Sequence, residues 1–163
     1  MALHFASFVE TCTANEYMRI LQEKISWKTY APSPRSRRVA TWEPGGIEVS
    51  DHVLSSLVDK LQRDYGVRVR GVFLNYYHNG KDYCPYHKDR YPLDVWTLSL
   101  GAKRDFKIKR DGRGHTATTI KLESGDLYFM PRTIHQTHVH GIPTRTRLQS
   151  PRVSIVFFTG SRS

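Results

Sequence analysis

The sequence has few cysteines, no long apolar run and no basic segment at its start. Its 163 residues include only Cys12 and Cys84, which excludes a disulfide-stapled scaffold and favours a reducing compartment. No stretch approaches the roughly eighteen apolar residues of a membrane-spanning helix, and the N-terminus lacks the basic beginning of a signal peptide. We therefore expect an intracellular protein, cytoplasmic or nuclear, with no membrane partner.

Long polar tracts, repeats and linkers are also absent. Hydrophobic residues make up 39% of the chain and charged residues 25%, which indicates a folded globular protein. The length is that of one ordinary domain. We predict a single domain over 1–163, with a helical and loop part over 1–66 and a β-rich core over 67–160. We expect it to be a monomer.

Acidic residues are scarce in the C-terminal part of the chain. The whole chain carries a net charge of +10. Residues 101–163 contain 12 basic and 4 acidic residues, a net charge of +8, whereas residues 1–100 contain 13 basic and 11 acidic residues, a net charge of +2. Such a one-sided basic surface favours a polyanionic partner, and nucleic acid is the first candidate.

The periodicity of apolar residues changes near residue 67. A capping box, Thr13-Ala-Asn-Glu16, and a helical apolar face predict a helix near 14–26, and a second helix is expected from Ser50-Asp51 to just before Gly66. Two helices followed by short strands favour helices packed on a β-sandwich or barrel. The predicted strands are Val67–Leu74, Val95–Leu100, Asp105–Lys109, Thr118–Leu122, Leu127–Met130, Thr137–His140 and Val153–Phe158.

Two histidines and a carboxylate offer a metal site. In an extended segment, His87 and Asp89 point to the same side, and a further His would complete the facial set that binds non-haem Fe(II). The residues leave open which His it is, and the candidates are His135, His138 and His140. Arg152 begins an apolar strand, where a forked guanidinium suits a dicarboxylate such as 2-oxoglutarate.

Five ordered motifs resemble the AlkB-type Fe(II)/2-oxoglutarate dioxygenases, which demethylate nucleic acids. Their spacing along the chain is also similar to that of the family. The motifs are Asn75-Tyr-Tyr77-His-Asn-Gly80 with the following HxD, Leu98-Ser-Leu-Gly101-Ala-Lys-Arg-Asp-Phe106, Gly125-Asp-Leu-Tyr-Phe-Met130, His140-Gly-Ile-Pro143 and Pro151-Arg152.

The resemblance implies a double-stranded β-helix, or jelly roll, of mainly β class with two N-terminal helices on one sheet. It implies His87, Asp89 and His140 as ligands of Fe(II), with His138 in a supporting role and His135 on a surface loop. The implied residues for the co-substrate 2-oxoglutarate are Asn75, Tyr77, Arg152 and Ser154. The residues expected to contact the substrate are Arg90, Tyr86, Lys103, Arg104, Arg145 and Arg147.

The implied reaction is oxidative demethylation of N-alkylated bases in DNA or RNA, with release of formaldehyde, succinate and CO2. Two positions depart from the family pattern: Phe158 replaces a second arginine, and Arg90 follows the metal aspartate. We expect Arg152 to be the sole cation for the distal carboxylate of 2-oxoglutarate. We expect Phe158 to wall the co-substrate pocket, in preference to a contribution from Arg162. The alternatives are an oxygenase acting on a target other than nucleic acid and a catalytically silent nucleic-acid-binding domain.

Overall fold

The computed structural model describes residues 2–42, 51–89 and 93–160. Strands dominate, and helices occur in three places. The strands are β1 (Leu3–Phe5), β2 (Lys28–Thr29), β3 (Arg38–Trp42), β4 (Arg68–Tyr77), β5 (Cys84–His87), β6 (Asp94–Gly101), β7 (Arg104–Arg110), β8 (Thr118–Leu122), β9 (Leu127–Met130), β10 (His138–Ile142) and β11 (Arg152–Gly160). The helices are α1 (Thr11–Lys24), α2 (Asp51–Tyr65) and α3 (Arg132–Thr137).

The strands form two antiparallel sheets. The large sheet has the order β1-β9-β6-β11-β4-β3-β2, and the small sheet has the order β5-β10-β7-β8. Strands that are neighbours in space are mostly distant in the chain, as in a sandwich with crossing connections. The predicted mainly β class, with N-terminal helices packed on one sheet, is confirmed.

Strand β11 lies at the centre of the large sheet, between β4 and β6. Its side chains alternate between two apolar clusters. Val153, Ile155 and Phe157 pack with helices α1 and α2, whereas Val156 and Phe158 pack with residues of the small sheet. This division explains why the sequence of β11 is apolar almost throughout, because both faces of the strand are buried.

The two predicted N-terminal helices are present, but α1 begins earlier than expected. It starts at Thr11 behind Glu10, no side chain caps it, and the predicted capping box at Thr13 is therefore wrong. The backbone N–H of Val9 donates to the carbonyl of Gly125, which directs the chain into the helix before it reaches Thr13. No helix within the described residues is long and apolar enough to span a membrane.

Several strands were not predicted. Strands β1 and β3 extend the large sheet from the first 66 residues, and β5 belongs to the small sheet. The predicted strand Thr137–His140 is instead the end of α3 followed by β10, because a helical turn begins directly after Pro131. These strands have only three to five residues, which is too few for an alternating pattern to be recognised in the sequence.

The corner at Gly125 and Asp126 attaches the N-terminal segment to the sheets. Gly125 has a φ of +97°, and a Cβ there would collide with the carbonyl of Val9. The Asp126 carboxylate is 6% exposed and accepts hydrogen bonds from the backbone N–H groups of Ser7 and Glu123, while His4 Nε2 lies 2.9 Å from it. One buried carboxylate therefore joins β1 to the turn before β9.

Replacing Asp126 with Ala should destabilise the protein by about 3 kcal/mol, because buried N–H groups lose a charged acceptor. Glu123→Ala is the matched control in the same turn, and its exposed side chain predicts a change within about 0.5 kcal/mol. Urea unfolding followed by circular dichroism measures both free energies. Equal stabilities of the two variants would contradict the role assigned to Asp126.

Candidate metal and co-substrate site

A pocket between the two sheets contains both predicted halves of the site. Its metal end lies on the small sheet, where His140 of β10 is paired directly with His87 of β5. The other end lies on β4 and β11 of the large sheet, where Asn75 is paired with Ser154. The fold therefore brings together residues that are more than fifty positions apart in sequence.

The two predicted histidine ligands both face Asp89, the third predicted ligand. His87 Nε2 lies 3.4 Å from Asp89 Oδ1, and His140 Nε2 lies 3.4 Å from Asp89 Oδ2. The candidate ligand atoms of the three residues all lie within 4.8 Å of one another. Asp89 Oδ2 is buried and accepts no hydrogen bond from the described residues. A divalent cation held by two imidazoles and one carboxylate fits this arrangement, and it would satisfy that oxygen.

Neighbouring groups orient the two imidazoles. His87 Nδ1 lies 2.8 Å from the carbonyl of Pro85, which favours a proton on Nδ1 and leaves Nε2 directed at Asp89. The His140 ring stacks on Phe106 at a centroid distance of 5.4 Å and lies 4.4 Å from the His87 ring. The rings are therefore held in place by protein contacts alone.

Burial and mutual charge set the protonation of this cluster. Burial lowers the pKa of His140 to about 4, so its imidazole is neutral at pH 7. For His87, burial acts in the same direction, but the hydrogen bonds to Asp89 and Cys84 outweigh it and raise the pKa to about 10. Burial also opposes ionisation of Asp89, yet its histidine neighbours hold the pKa of the carboxyl below the usual value. The result is a negatively charged Asp89 directed at the site.

His135 does not lie on a surface loop as predicted. It is 4% exposed on α3, and its Nε2 accepts a 2.7 Å hydrogen bond from the backbone N–H of Asp89. The prediction was wrong because α3 turns this residue inward behind the metal aspartate. Strand pairing favours His140 over His138 as the third ligand, because His140 lies opposite His87, while His138 Nδ1 lies 2.7 Å from Thr137 Oγ1.

The predicted co-substrate residues are all buried along the large sheet. Arg152 is 1% exposed, its Nε donates to Ser99 Oγ at 2.8 Å, and its Nη1 and Nη2 are buried without a hydrogen-bond partner among the described residues. Burial lowers the pKa of Arg152 to about 10, which still leaves it protonated at pH 7. Two unpaired N–H groups on one buried guanidinium fit a carboxylate of 2-oxoglutarate.

Three further residues complete this end of the pocket. Asn75 Nδ2 donates to Ser154 Oγ at 3.1 Å, and the Tyr77 ring faces the Arg152 guanidinium at 5.2 Å. Burial raises the pKa of Tyr77, so its phenol is protonated at neutral pH. Sequence reasoning missed Ser99, although alternation along β6 was a usable signal for its inward position.

The expectation about the wall of this pocket is wrong, and the expectation about its cations stays a prediction. Arg37 lines the same pocket as Arg152, so a second guanidinium is present beside the one predicted to bind the distal carboxylate. Phe158 shares the inward face of β11 with Arg152, but it packs in the apolar cluster beyond Val156 and does not line the pocket. Arg162 lies outside the described residues.

The predicted substrate contacts other than Arg104 fall into three groups. Lys103, Arg145 and Arg147 are exposed. Tyr86 is 43% exposed and lines a separate cleft together with Lys107. The Lys109 ammonium lies over its ring, 4.7 Å from the centroid. Because side chains alternate along β5, Tyr86 points away from the side of His87. Arg90 lies outside the described residues.

Arg104 contradicts the prediction of a substrate contact. Its side chain is 1% exposed and donates to the carbonyls of Asp82 and Pro143 at 2.7 and 2.8 Å, with a longer contact to the carbonyl of Asn79. The inward face of β7, shared with Phe106 and Ile108, accounts for its burial. Arg104 thus joins two loops beside the pocket.

Comparison with known proteins gives a family and several relatives. The model of the 2OG-Fe(II) oxygenase superfamily matches residues 6–157. The DNA oxidative demethylase ALKBH2 of Bos taurus is 26% identical over 117 residues, or 64% of this chain and 42% of the relative. The alpha-ketoglutarate-dependent dioxygenase alkB homolog 3 of Homo sapiens is 26% identical over 121 residues, or 66% of this chain and 42% of the relative. The matches therefore span less than half the length of these relatives.

Solved structures show the same fold. A Pseudomonas putida prolyl-4-hydroxylase has a TM-score of 0.64 at 14% identity, covering 99% of this chain and 93% of that chain. OsALKBH1 has a TM-score of 0.65 at 14% identity, and the match covers 96% of this chain and 97% of that chain. The predicted jelly roll and the resemblance to AlkB-type oxygenases are confirmed, as are Fe(II) and 2-oxoglutarate as cofactor and co-substrate. The individual iron ligands stay a prediction.

Replacing His140 with Ala should weaken Mn(II) binding by more than about 100-fold, since losing a ligand costs more than losing an outer partner. His138→Ala is the matched control, two residues away on the same strand, and should bind Mn(II) as the unchanged protein does. Isothermal titration calorimetry under anaerobic conditions measures both. The ligand assignment is wrong if the His138 variant loses the metal and the His140 variant keeps it.

Proposed function

The chain belongs to the 2OG-Fe(II) oxygenase superfamily, and on that premise we propose that it oxidatively demethylates N-alkylated bases in DNA or RNA. The reaction would consume O2 and 2-oxoglutarate and release formaldehyde, succinate and CO2. When bound, Fe(II) and 2-oxoglutarate supply the activation of O2 that hydroxylates an N-methyl group, after which the hydroxymethyl product breaks down to formaldehyde. The matched relatives include a DNA oxidative demethylase, which supports this choice of substrate.

The observation that carries the proposal is the exposed positive charge near the metal strand β10. The segment that follows β10 carries Arg145 and Arg147, both exposed, and Arg110 lies opposite His138 at the other end of the strand. Phosphate groups are the partners that such a surface attracts most strongly.

A glycine fixes the position of this basic segment. The backbone of Gly80 accepts from the Arg145 N–H at 2.7 Å and donates to the Leu148 carbonyl at 2.8 Å. A Cβ at Gly80 would collide with the Arg145 carbonyl, so only glycine permits the contact. The turn after β4 thereby ties Arg145 and Arg147 to the strand that carries Asn75 and Tyr77.

The protein residues have three tasks in this reaction. Asp89, His87 and His140 would hold the metal, and the guanidinium end of the pocket would orient 2-oxoglutarate against it. The exposed arginines would hold the phosphate backbone. The reacting pocket lies between two sheets, so a target base has to leave its stack to enter, either from a single strand or by flipping out of a duplex.

Formaldehyde release from methylated oligonucleotides tests the proposal. Incubation with Fe(II), 2-oxoglutarate and a panel of N-methylated single- and double-stranded DNA and RNA should give formaldehyde in proportion to succinate. The Asp89→Ala variant, which removes the carboxylate of the metal site, should give neither product. Succinate without formaldehyde from any nucleic acid in the panel would move the substrate to another class of molecule.

Replacing Arg145 and Arg147 together with Ala should weaken oligonucleotide binding and reduce the salt dependence of the affinity by about one unit per lost phosphate contact. Arg63→Ala, an exposed arginine on α2, is the matched control and should leave the slope unchanged. Fluorescence anisotropy at several KCl concentrations measures the slopes. Identical slopes for the two variants would remove this segment from the nucleic-acid interface.

A further inference from the structure

Arg37 occupies an unusual position for a residue in a basic loop. The stretch Arg35-Ser-Arg37-Arg38 reads as a solvated surface segment, and Arg35 and Arg38 are indeed exposed. Arg37 is only 6% exposed and lines the pocket that also contains Arg152 and the metal residues. Of the three arginines in the segment that leads into β3, one therefore points into the interior of the protein.

The loop holds this guanidinium in a defined place. Its Nε donates to Asn75 Oδ1 at 2.6 Å, and its Nη1 lies 3.2 Å from Ser36 Oγ. The guanidinium also lies over the Tyr30 ring, 4.3 Å from the centroid. Among the hydrogen bonds of the described residues, none uses Nη2. Arg37 is thus oriented in advance and retains donor capacity.

The charge of the pocket requires an anion at this end. Arg37 and Arg152 both line it, and among the described lining residues the only carboxylate is Asp89, at the metal end. A buried cation without an anionic partner is unfavourable, and two in one pocket are more so. Neither guanidinium has a carboxylate partner among the described salt bridges.

We infer that Arg37 is a second co-substrate-binding residue, which shares the negative charge of the 2-oxoglutarate dianion with Arg152. Asn75 connects the two halves of this site, because its amide accepts from Arg37 and donates to Ser154, the residue two positions from Arg152 on β11. The co-substrate would therefore be held by guanidinium groups from two separate parts of the chain. This inference depends on the co-substrate and not on the identity of the oxidised target.

The segment that contains Ser36 and Arg37 also connects the co-substrate end of the pocket to strand β5. The backbone N–H of Tyr83, directly before β5, donates to the carbonyl of Ser36 at 2.7 Å. Ser36 is fully buried, and its hydroxyl donates to the carbonyl of Ser33. The segment that presents Arg37 is therefore anchored to the strand that carries His87.

Titration of 2-oxoglutarate into Mn(II)-loaded protein without O2 tests the inference. Arg37→Gln should raise the dissociation constant for 2-oxoglutarate by about 10-fold or more, as expected when a charged donor to a carboxylate is lost. Arg37→Lys keeps the charge without the fork and should fall between Gln and the unchanged protein. The affinity for Mn(II) itself should stay the same in both variants.

Arg38→Ala is the control, because it removes the neighbouring exposed arginine, which is the first residue of β3. It should bind 2-oxoglutarate as the unchanged protein does. If Arg37→Gln keeps its fold by circular dichroism and binds 2-oxoglutarate with unchanged affinity, the inference is wrong. It is also wrong if Arg38→Ala weakens binding equally, since the effect would then be the general charge of the loop. No nucleic acid enters this experiment, so its outcome is independent of the demethylation assay.

Discussion

Pairing of β5 with β10 is the contact on which the site depends. Strand β5 has only four residues, and its register with β10 places His87 opposite His140. Gly141 permits this close approach, because a Cβ there would lie 2.7 Å from the Cys84 carbonyl. A slip of one residue would turn one of the two imidazoles to the outer face of the small sheet, as alternation has already done with Tyr86.

The apolar side chains that stabilise the fold and the polar side chains of the candidate site lie mostly on opposite faces of the large sheet. The apolar cluster between the helices and the large sheet contains Leu74, Leu98 and Ile155. The space between the sheets is shared by an apolar cluster and the polar row formed by Asn75, Ser154 and Ser99 across neighbouring strands. The helices cover one face of the large sheet with apolar contacts. The opposite face of the same strands can therefore carry buried polar groups.

Local sequence patterns indicated which three candidate ligands come together better than they indicated the residues around them. The HxD spacing and the resemblance at His140-Gly-Ile-Pro143 pointed to three residues that the fold brings together. His135 was misplaced because it lies on α3, a helix of six residues that is too short for a helical pattern to indicate the direction of its side chains. Arg37 was missed because it lies in a short irregular segment, where no periodicity indicates that direction. Arg104 was a different error, since the alternation with Phe106 and Ile108 already indicated an inward position.

Arg104 and Arg152 show how the same side chain, at the same depth, takes different roles. Each is 1% exposed, and each lies 5.2 Å from the Tyr77 ring. The Nη groups of Arg104 donate to backbone carbonyls, so its terminal charge is already solvated by the protein. Those of Arg152 find no acceptor among the described residues. Burial alone therefore does not distinguish a structural guanidinium from a binding one. The distinction lies in whether the fold supplies acceptors for the Nη groups, and on that criterion Arg104 fits a structural role and Arg152 fits the predicted co-substrate role.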